Sequence, residues 1–239
     1  MSLIRNIQIP FKLLKLTFYR FSKYPKDIPF YFDWILSLRN KKNGRSTFVD
    51  RRPWLTYRAA KWLDSYLKPG MRVFEYGSGG STVFFAQRVK RVVSVEHSPE
   101  WYKMVKNTFN KLKISNVEYI LKEPEKGAKR EGDCSDPHFY VSGFQNKFDQ
   151  MSFCEYVKVI DNYPDRFFDM VLIDGRARPS CIMHAVKKIK KSGIIVLDNS
   201  DRERYKLAES NILCNYKCVR FFGIGPYSTD PWETAIFLK

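Results

Sequence analysis

Four acidic residues stand at or near the ends of apolar runs in this chain. Glu75 follows Val73 and Phe74, and Glu96 closes Val92-Val-Ser-Val95. Asp174 closes Met170-Val-Leu-Ile173, and Asp198 closes Ile194-Ile-Val-Leu197. Between the first two acids lies Tyr76-Gly-Ser-Gly-Gly-Ser81. Glycine suits a turn in which a ligand approaches the backbone closely or φ is positive, and the helix that starts there offers free N–H groups. An acid at the tip of the next strand can accept hydrogen bonds from both hydroxyls of a ribose. A dinucleotide fingerprint would need a third glycine at position 82, where this chain has Thr82. Glu75, two residues before the first glycine, would repel a pyrophosphate and attract an ammonium or sulfonium. The residues describe a site for a nucleoside cofactor with a positively charged end.

E-x-G-x-G followed by an acid at the end of the next strand resembles the motifs of the class I S-adenosylmethionine-dependent methyltransferases. The resemblance covers residues 54–239 and implies S-adenosyl-L-methionine as cofactor. Its surroundings would be Glu75, Tyr76, Gly77, Ser78, Gly79, Ser81, Glu96, His97 and Asp174, with His97 lining the adenine pocket. Ile173-Asp174-Gly-Arg and Gly193-Ile-Ile-Val-Leu-Asp198-Asn199 look like segments of the catechol and caffeoyl-CoA type O-methyltransferases. That branch implies a divalent metal on Asp174, Asp198 and Asn199, and hard oxygen ligands of this kind suit Mg²⁺. The alternative is that Asp198-Asn199 caps the next helix. The chain departs from that branch at Ala177, where a lysine would serve as base, and Arg176 and Arg178 flank it instead. A guanidinium is a poor base and a good clamp for phosphate or carboxylate; the alternative is that both arginines are structural. Because a sulfonium methyl is already electrophilic, the remaining task is to align an acceptor and remove its proton. The candidates are Asp174, as base or metal ligand, then Asp198, with Arg176 as clamp. His138 could face the substrate from its loop, His184 reads as structural, and Tyr227 could border the acceptor.

The elements that must hold these residues follow from apolar spacing. Strands are expected over 73–76, 91–96, 117–121, 167–174 and 193–198, with a closing pair at 218–222 and 233–238. Helices are expected over 52–67, 81–89, from Ser98, and over 152–160, 179–190 and 201–210. In the first of these, Trp54, Leu55, Ala59, Trp62, Leu63 and Tyr66 read as core. Ser98 is its helix's cap, with Pro99 at the first position. The stretch 122–150 has no apolar period, so it reads as a functional loop on the substrate side. The fold class is therefore α/β: a doubly wound, mostly parallel seven-stranded sheet, Rossmann-like, closed by an antiparallel C-terminal hairpin, with an N-terminal helical appendage. Residues 1–50 form a basic, aromatic extension and residues 51–239 the methyltransferase domain.

With 239 residues, 44% of them hydrophobic, the chain can bury one substantial core. Its net charge of +17 implies an anionic partner: nucleic acid, an acidic membrane surface or a phosphorylated substrate. In the N-terminal extension, Leu13, Leu14, Thr17, Phe18 and Phe21 share one helical face opposite Lys12, Lys15, Arg20 and Lys23. Such a helix suits a membrane interface, and equally suits packing on its own domain or on a second subunit in a homodimer. Asp27–Leu38 could extend either surface. Five cysteines without a C-x-x-C pair fit a reducing compartment, and charges interrupt any signal-peptide core, so the expected place is the cytoplasm, with peripheral membrane contact through residues 1–25 left open. The reaction expected is O-methylation of a small-molecule, glycan-linked or lipid-linked anionic acceptor. The alternatives are RNA methylation and a non-catalytic binding module.

Overall fold

In the first strand Phe74 and Tyr76 point to one side of the sheet while Val73 and Glu75 point to the other, as the two-residue period of a strand requires. The computed structural model describes residues 19–20, 22–126, 133–143 and 151–239. Its seven strands are β1 (Arg72–Tyr76), β2 (Arg91–Glu96), β3 (Val117–Leu121), β4 (Phe168–Ile173), β5 (Ile189–Asp198), β6 (Lys217–Gly223) and β7 (Trp232–Leu238). They form one sheet in the order β3-β2-β1-β4-β5-β7-β6. The pairs among β1 to β5 are parallel, and β7 runs antiparallel to both of its neighbours. This is the expected doubly wound sheet with its closing hairpin.

Helices cover both faces. On one side α5 (Cys154–Lys158), α6 (Arg178–Lys188) and α7 (Lys206–Ile212) bury Tyr156, Val157, Cys181, Ile182, Ala185 and Ala208 against Phe74, Tyr76, Val93 and Ile195. On the other, α2 (Tyr57–Tyr66) and α3 (Gly80–Ala86) bury Ala59, Leu63, Phe84 and Phe85 against Val73, Val92, Met170 and Val196. The helix α4 (Pro99–Leu112) packs Val105 and Phe109 beside Val83 of α3. Its cap is the expected one: Ser98 Oγ accepts from the Trp101 N–H at 3.4 Å.

Three expectations are corrected. The helix expected over 52–67 begins at Tyr57, because Thr56 is held in an extended conformation whose hydroxyl donates to the Phe221 carbonyl. Trp54 therefore lies outside the core, 53% exposed. The strand expected from Gly193 begins at Ile189, which pairs with Phe168 before a register shift. The helix expected over 201–210 is a 3₁₀ turn at Glu203–Tyr205 followed by α7.

The N-terminal extension continues into the domain. A 3₁₀ turn (Pro25–Phe30) leads into α1 (Tyr31–Lys41), whose Tyr31 and Trp34 are buried with Tyr57 and Ile224. Asp27 is buried, paired with Arg58 at 2.8 Å, and accepts from the Ile224 N–H at 2.9 Å. Most of the expected amphipathic helix, along with much of the 122–150 loop, lies outside the described residues. Among the described residues no helix is long and apolar enough to cross a membrane.

Candidate active site

A parallel sheet of this order opens a crevice beyond the carboxyl ends of β1, β2, β4 and β5, and there the structure has a cleft of about 820 Å³. Its floor is the turn Gly77–Ser81, with Glu96, His97, Asp174, Arg176, Asp198 and Asn199 around it. The turn is packed from both sides. Gly77 has φ +90°, and a Cβ there would meet the Cα of Gly175 at 2.9 Å. At Gly80 a Cβ would meet the carbonyl oxygens of Thr47 and Arg52 at 2.3 and 2.4 Å. Only glycine lets the 46–52 segment close over the turn, and through that contact Ser46, Thr47, Phe48 and Trp54 become a cleft wall. The sequence offered no signal for this wall: residues 41–47 read as a polar link, and Trp54 as core.

Glu96 is buried and already fully used. One oxygen, Oε2, accepts from the Ser78 N–H at 3.1 Å and the Ser78 hydroxyl at 2.8 Å; Oε1 accepts from the N–H groups of His97 and Ser98 at 2.8 and 2.9 Å. The His97 Nδ1 lies 2.9 Å from Oε1. Burial alone would raise its pKa, but the hydrogen bond and charge of His97, with the Ser98 and Ser78 donors, hold it below the usual value. Ser78 Oγ also bonds the Tyr119 hydroxyl at 2.7 Å, and Trp101 Nε1 donates to the Ser78 carbonyl at 2.8 Å. Tyr119 and Trp101 were not legible as site residues. A tryptophan in the first turn of the helix after Glu96 is the one hint the sequence carries.

Two expected cofactor residues lie away from the cleft wall. Tyr76 is a core side chain whose hydroxyl donates to the Val157 carbonyl at 2.7 Å. Glu75 is wholly buried, on the face covered by α3, where its Oε2 accepts from Thr82 Oγ1 at 2.5 Å and Ser94 Oγ at 2.7 Å. Thr82 Oγ1 in turn accepts from the Gly79 N–H at 3.0 Å. The threonine that breaks the dinucleotide fingerprint thus ties the glycine turn to Glu75. Burial raises the Glu75 pKa to about 7, against the donors that lower it.

At the other end Arg178 joins the tips of β4 and β5. Its Nη2 donates to Asp174 Oδ1 and the Asp174 carbonyl at 2.9 and 3.0 Å, Nε to the Gly175 carbonyl at 3.0 Å, and Nη1 to the Asp198 carbonyl. Asp198 Oδ1 accepts from Trp232 Nε1 at 2.8 Å and Thr234 Oγ1 at 2.7 Å. Arg178 and Asp198 Oδ1 thus tie the strand tips together, as the structural alternative for Arg178 has it, while both residues still line the cleft. Asp174 keeps access to the cleft; burial, then the neighbouring Asp198 charge, push its pKa up, against the pull of Arg178. Arg176, Arg202 and Arg204 also line the cleft. Burial and the Arg178 charge lower the Arg176 pKa. Burial opposes ionisation of Tyr205, yet the guanidinium groups of Arg178, Arg204 and Arg202 outweigh it and lower that phenol's pKa.

The metal set fits poorly. The cation between the two acid-bearing strand tips is the Arg178 guanidinium, and Asp198 Oδ1 already accepts from Trp232 and Thr234. Among the described residues no group of three or more His, Cys, Asp or Glu could hold a metal ion. His138 is exposed outside the cleft wall, and His184 bonds Tyr140 and Asp161 at 3.0 and 2.7 Å. Tyr227 is buried, its hydroxyl donating to Asp50, so it anchors the N-terminal segment and does not border the cleft. From the 122–150 loop, Cys134, Val141, Ser142 and Gly143 do reach the cleft.

The sheet order, the glycine turn and the acid closing β2 together define the fold of the class I S-adenosylmethionine-dependent methyltransferases. A family model described as protein-L-isoaspartate(D-aspartate) O-methyltransferase matches residues 36–133 of this chain. No curated protein sequence matches it. Among solved structures, a methyltransferase-like protein from Silicibacter pomeroyi is 24% identical with a TM-score of 0.51, covering 79% of this chain and 90% of its own. An O-methyltransferase from Bacillus cereus, in complex with SAH, is 16% identical with a TM-score of 0.51, covering 71% and 74%. An rRNA methylase from Streptococcus thermophilus is 14% identical with a TM-score of 0.50, covering 76% and 95%. At such identities the likeness is one of fold.

Proposed function

We propose that this protein is an S-adenosylmethionine-dependent O-methyltransferase acting on an anionic acceptor, small or linked to a glycan or lipid. The observation that carries the reading is that one cleft brings two kinds of group together. Its Glu96 end carries a low-pKa carboxylate among Ser78, His97 and Trp101, suited to a ribose and adenine. Arg176, Arg202 and Arg204 line the same cleft, and the Arg202 charge reaches Asp174. A ribose hydroxyl would take the place of the Ser78 hydroxyl as donor to Glu96 Oε2, since both oxygens of that carboxylate already accept hydrogen bonds. The cofactor supplies an electrophilic methyl when bound. Asp174, with its raised pKa, receives the acceptor proton, and Arg178 orients that carboxylate. The arginines hold the anionic part of the acceptor. No step in this reading runs through a metal.

The direct test is calorimetric titration with S-adenosylmethionine. Wild type should bind, and Glu96→Ala should weaken binding by roughly 10- to 100-fold, the worth of hydrogen bonds to a charged group. Absence of binding by the wild type would remove the class. In a turnover assay EDTA should leave the rate unchanged; loss of activity restored by Mg²⁺ would return the metal set to consideration. A second reading, RNA methylation, draws on the net charge of +17 and on the likeness to the rRNA methylase. Methyl transfer to RNA but to no small anionic acceptor would favour it.

A further inference from the structure

Helix α1 is apolar on two sides. Its inward side seats Tyr31 and Trp34 in the core and holds the loop before β7: Trp34 Nε1 donates to the Ser228 carbonyl at 2.8 Å, Ser37 Oγ accepts from the Tyr227 N–H at 3.0 Å, and Lys41 Nζ donates to the Tyr227 carbonyl at 3.0 Å. Ser228 is itself a wall of the cleft, so α1 lies on the cleft's rim. The opposite side carries Phe32, Leu36 and Arg39 at helical spacing, with Phe32 63% exposed, and Ile28 in the preceding turn is 53% exposed. Trp54, on the same rim, both lines the cleft and is half exposed. Exposed apolar residues grouped in this way mark an interaction surface.

Charge selects the occupant. Among described residues 19–54 Lys23, Lys26, Arg39, Lys42 and Arg51 are exposed, while Asp27 is buried and Asp50 is paired with Arg45, leaving Asp33 as the exposed acid. Aromatic and aliphatic residues ringed by lysine and arginine fit the interface of an anionic bilayer. Two copies of so basic a surface would repel one another, and nucleic acid, which can stack a base on Phe32, gives no use to the aliphatic Ile28 beside it. The sequence before Tyr19 continues the same basic and apolar alternation. We infer that the outward side of residues 25–45, led by Ile28 and Phe32, docks on an anionic membrane and turns the mouth of the cleft toward the lipid surface. It rests on the proposed reading only in making the acceptor a lipid-linked one.

The test is co-sedimentation of the full chain with vesicles of phosphatidylcholine containing phosphatidylserine, against phosphatidylcholine alone. Wild type should pellet with the anionic vesicles and be released by salt. The Ile28→Ser/Phe32→Ser double variant should lose about tenfold in partitioning, while its titration with S-adenosylmethionine stays as in wild type, showing an intact fold. Equal pelleting of the double variant overturns the inference, as does a wild type that stays in the supernatant. So does a wild-type dimer that the double variant converts to a monomer, since a second copy then covers this side, or binding to RNA in place of vesicles. Vesicle binding without cofactor binding would leave the membrane surface standing and remove the enzymatic reading.

Discussion

Glu75 and Glu96 stand on neighbouring strands and on the same side of the sheet, yet they meet opposite environments. Glu96 sits at the strand tip, where three backbone N–H groups and two side chains of the following turns stabilise its charge. Glu75 is one residue short of its strand's end, sealed under α3 with two hydroxyl donors. The raised pKa of Glu75 makes a pH prediction. Its ordinary value is 4.5 and its native value about 7, so the folded protein binds an extra proton between them. The stability this contributes is present below about pH 4.5 and is lost as pH rises through about 7. Glu75→Gln keeps the acceptor for Thr82 without the charge. Urea unfolding should find the two proteins similar at low pH and the variant more stable above neutrality, by up to about 3 kcal/mol. If wild type holds its stability across that range relative to the variant, the carboxylate is ionised in the native state.

At the scale of elements the site depends on a contact between two segments far apart in function but close in space. The turn between β1 and α3 accepts the 46–52 segment because Gly80 has no side chain. Gly80→Ala sets a Cβ against two carbonyl oxygens, backbone atoms that cannot rotate away, so the segment must lift. Overpacking of this kind costs about 1–3 kcal/mol. The variant should melt at a lower temperature and also bind S-adenosylmethionine more weakly, since the lifted segment carries Thr47 and Phe48 off the cleft. Unchanged cofactor affinity in a folded Gly80→Ala protein would sink the idea that this wall contributes to the site.

For the whole molecule the N-terminal segment is decisive. Residues 25–50 supply Tyr31 and Trp34 to a buried cluster with Tyr57 and Ile224, and Asp27 satisfies the Ile224 N–H. Trp34→Ala should lower unfolding free energy by about 3–5 kcal/mol, the usual result of truncating a large buried aromatic, as read by denaturant titration. Because Trp34 also holds the Ser228 carbonyl on the cleft rim, acceptor affinity should fall with it. A near-neutral effect would mean that the segment rests on the domain without supporting it.

Strand and helix order were legible from the sequence because periods of two and 3.6 mark which face each residue buries, and the alternation of the two dictates a parallel sheet. From that order alone the tips of β1, β2, β4 and β5 fall on one edge, so Glu96, Asp174 and the glycine turn could be grouped before any coordinates. What the sequence left open was how each polar group is used. Asp198 reads like Asp174 in the chain, but Trp232 and Thr234 from β7 claim its Oδ1, and only the antiparallel pairing of β5 with β7 brings them there. Arg178 reads as a free cation until the tips of β4 and β5 converge on its guanidinium. Residues 46–54 join the site only through packing against Gly80, and residues 25–41 support it only through Trp34 on the Ser228 carbonyl. Local pattern determined the elements; which acids stay available to a ligand was decided by partners far along the chain, and such pairings exist only once the chain is folded.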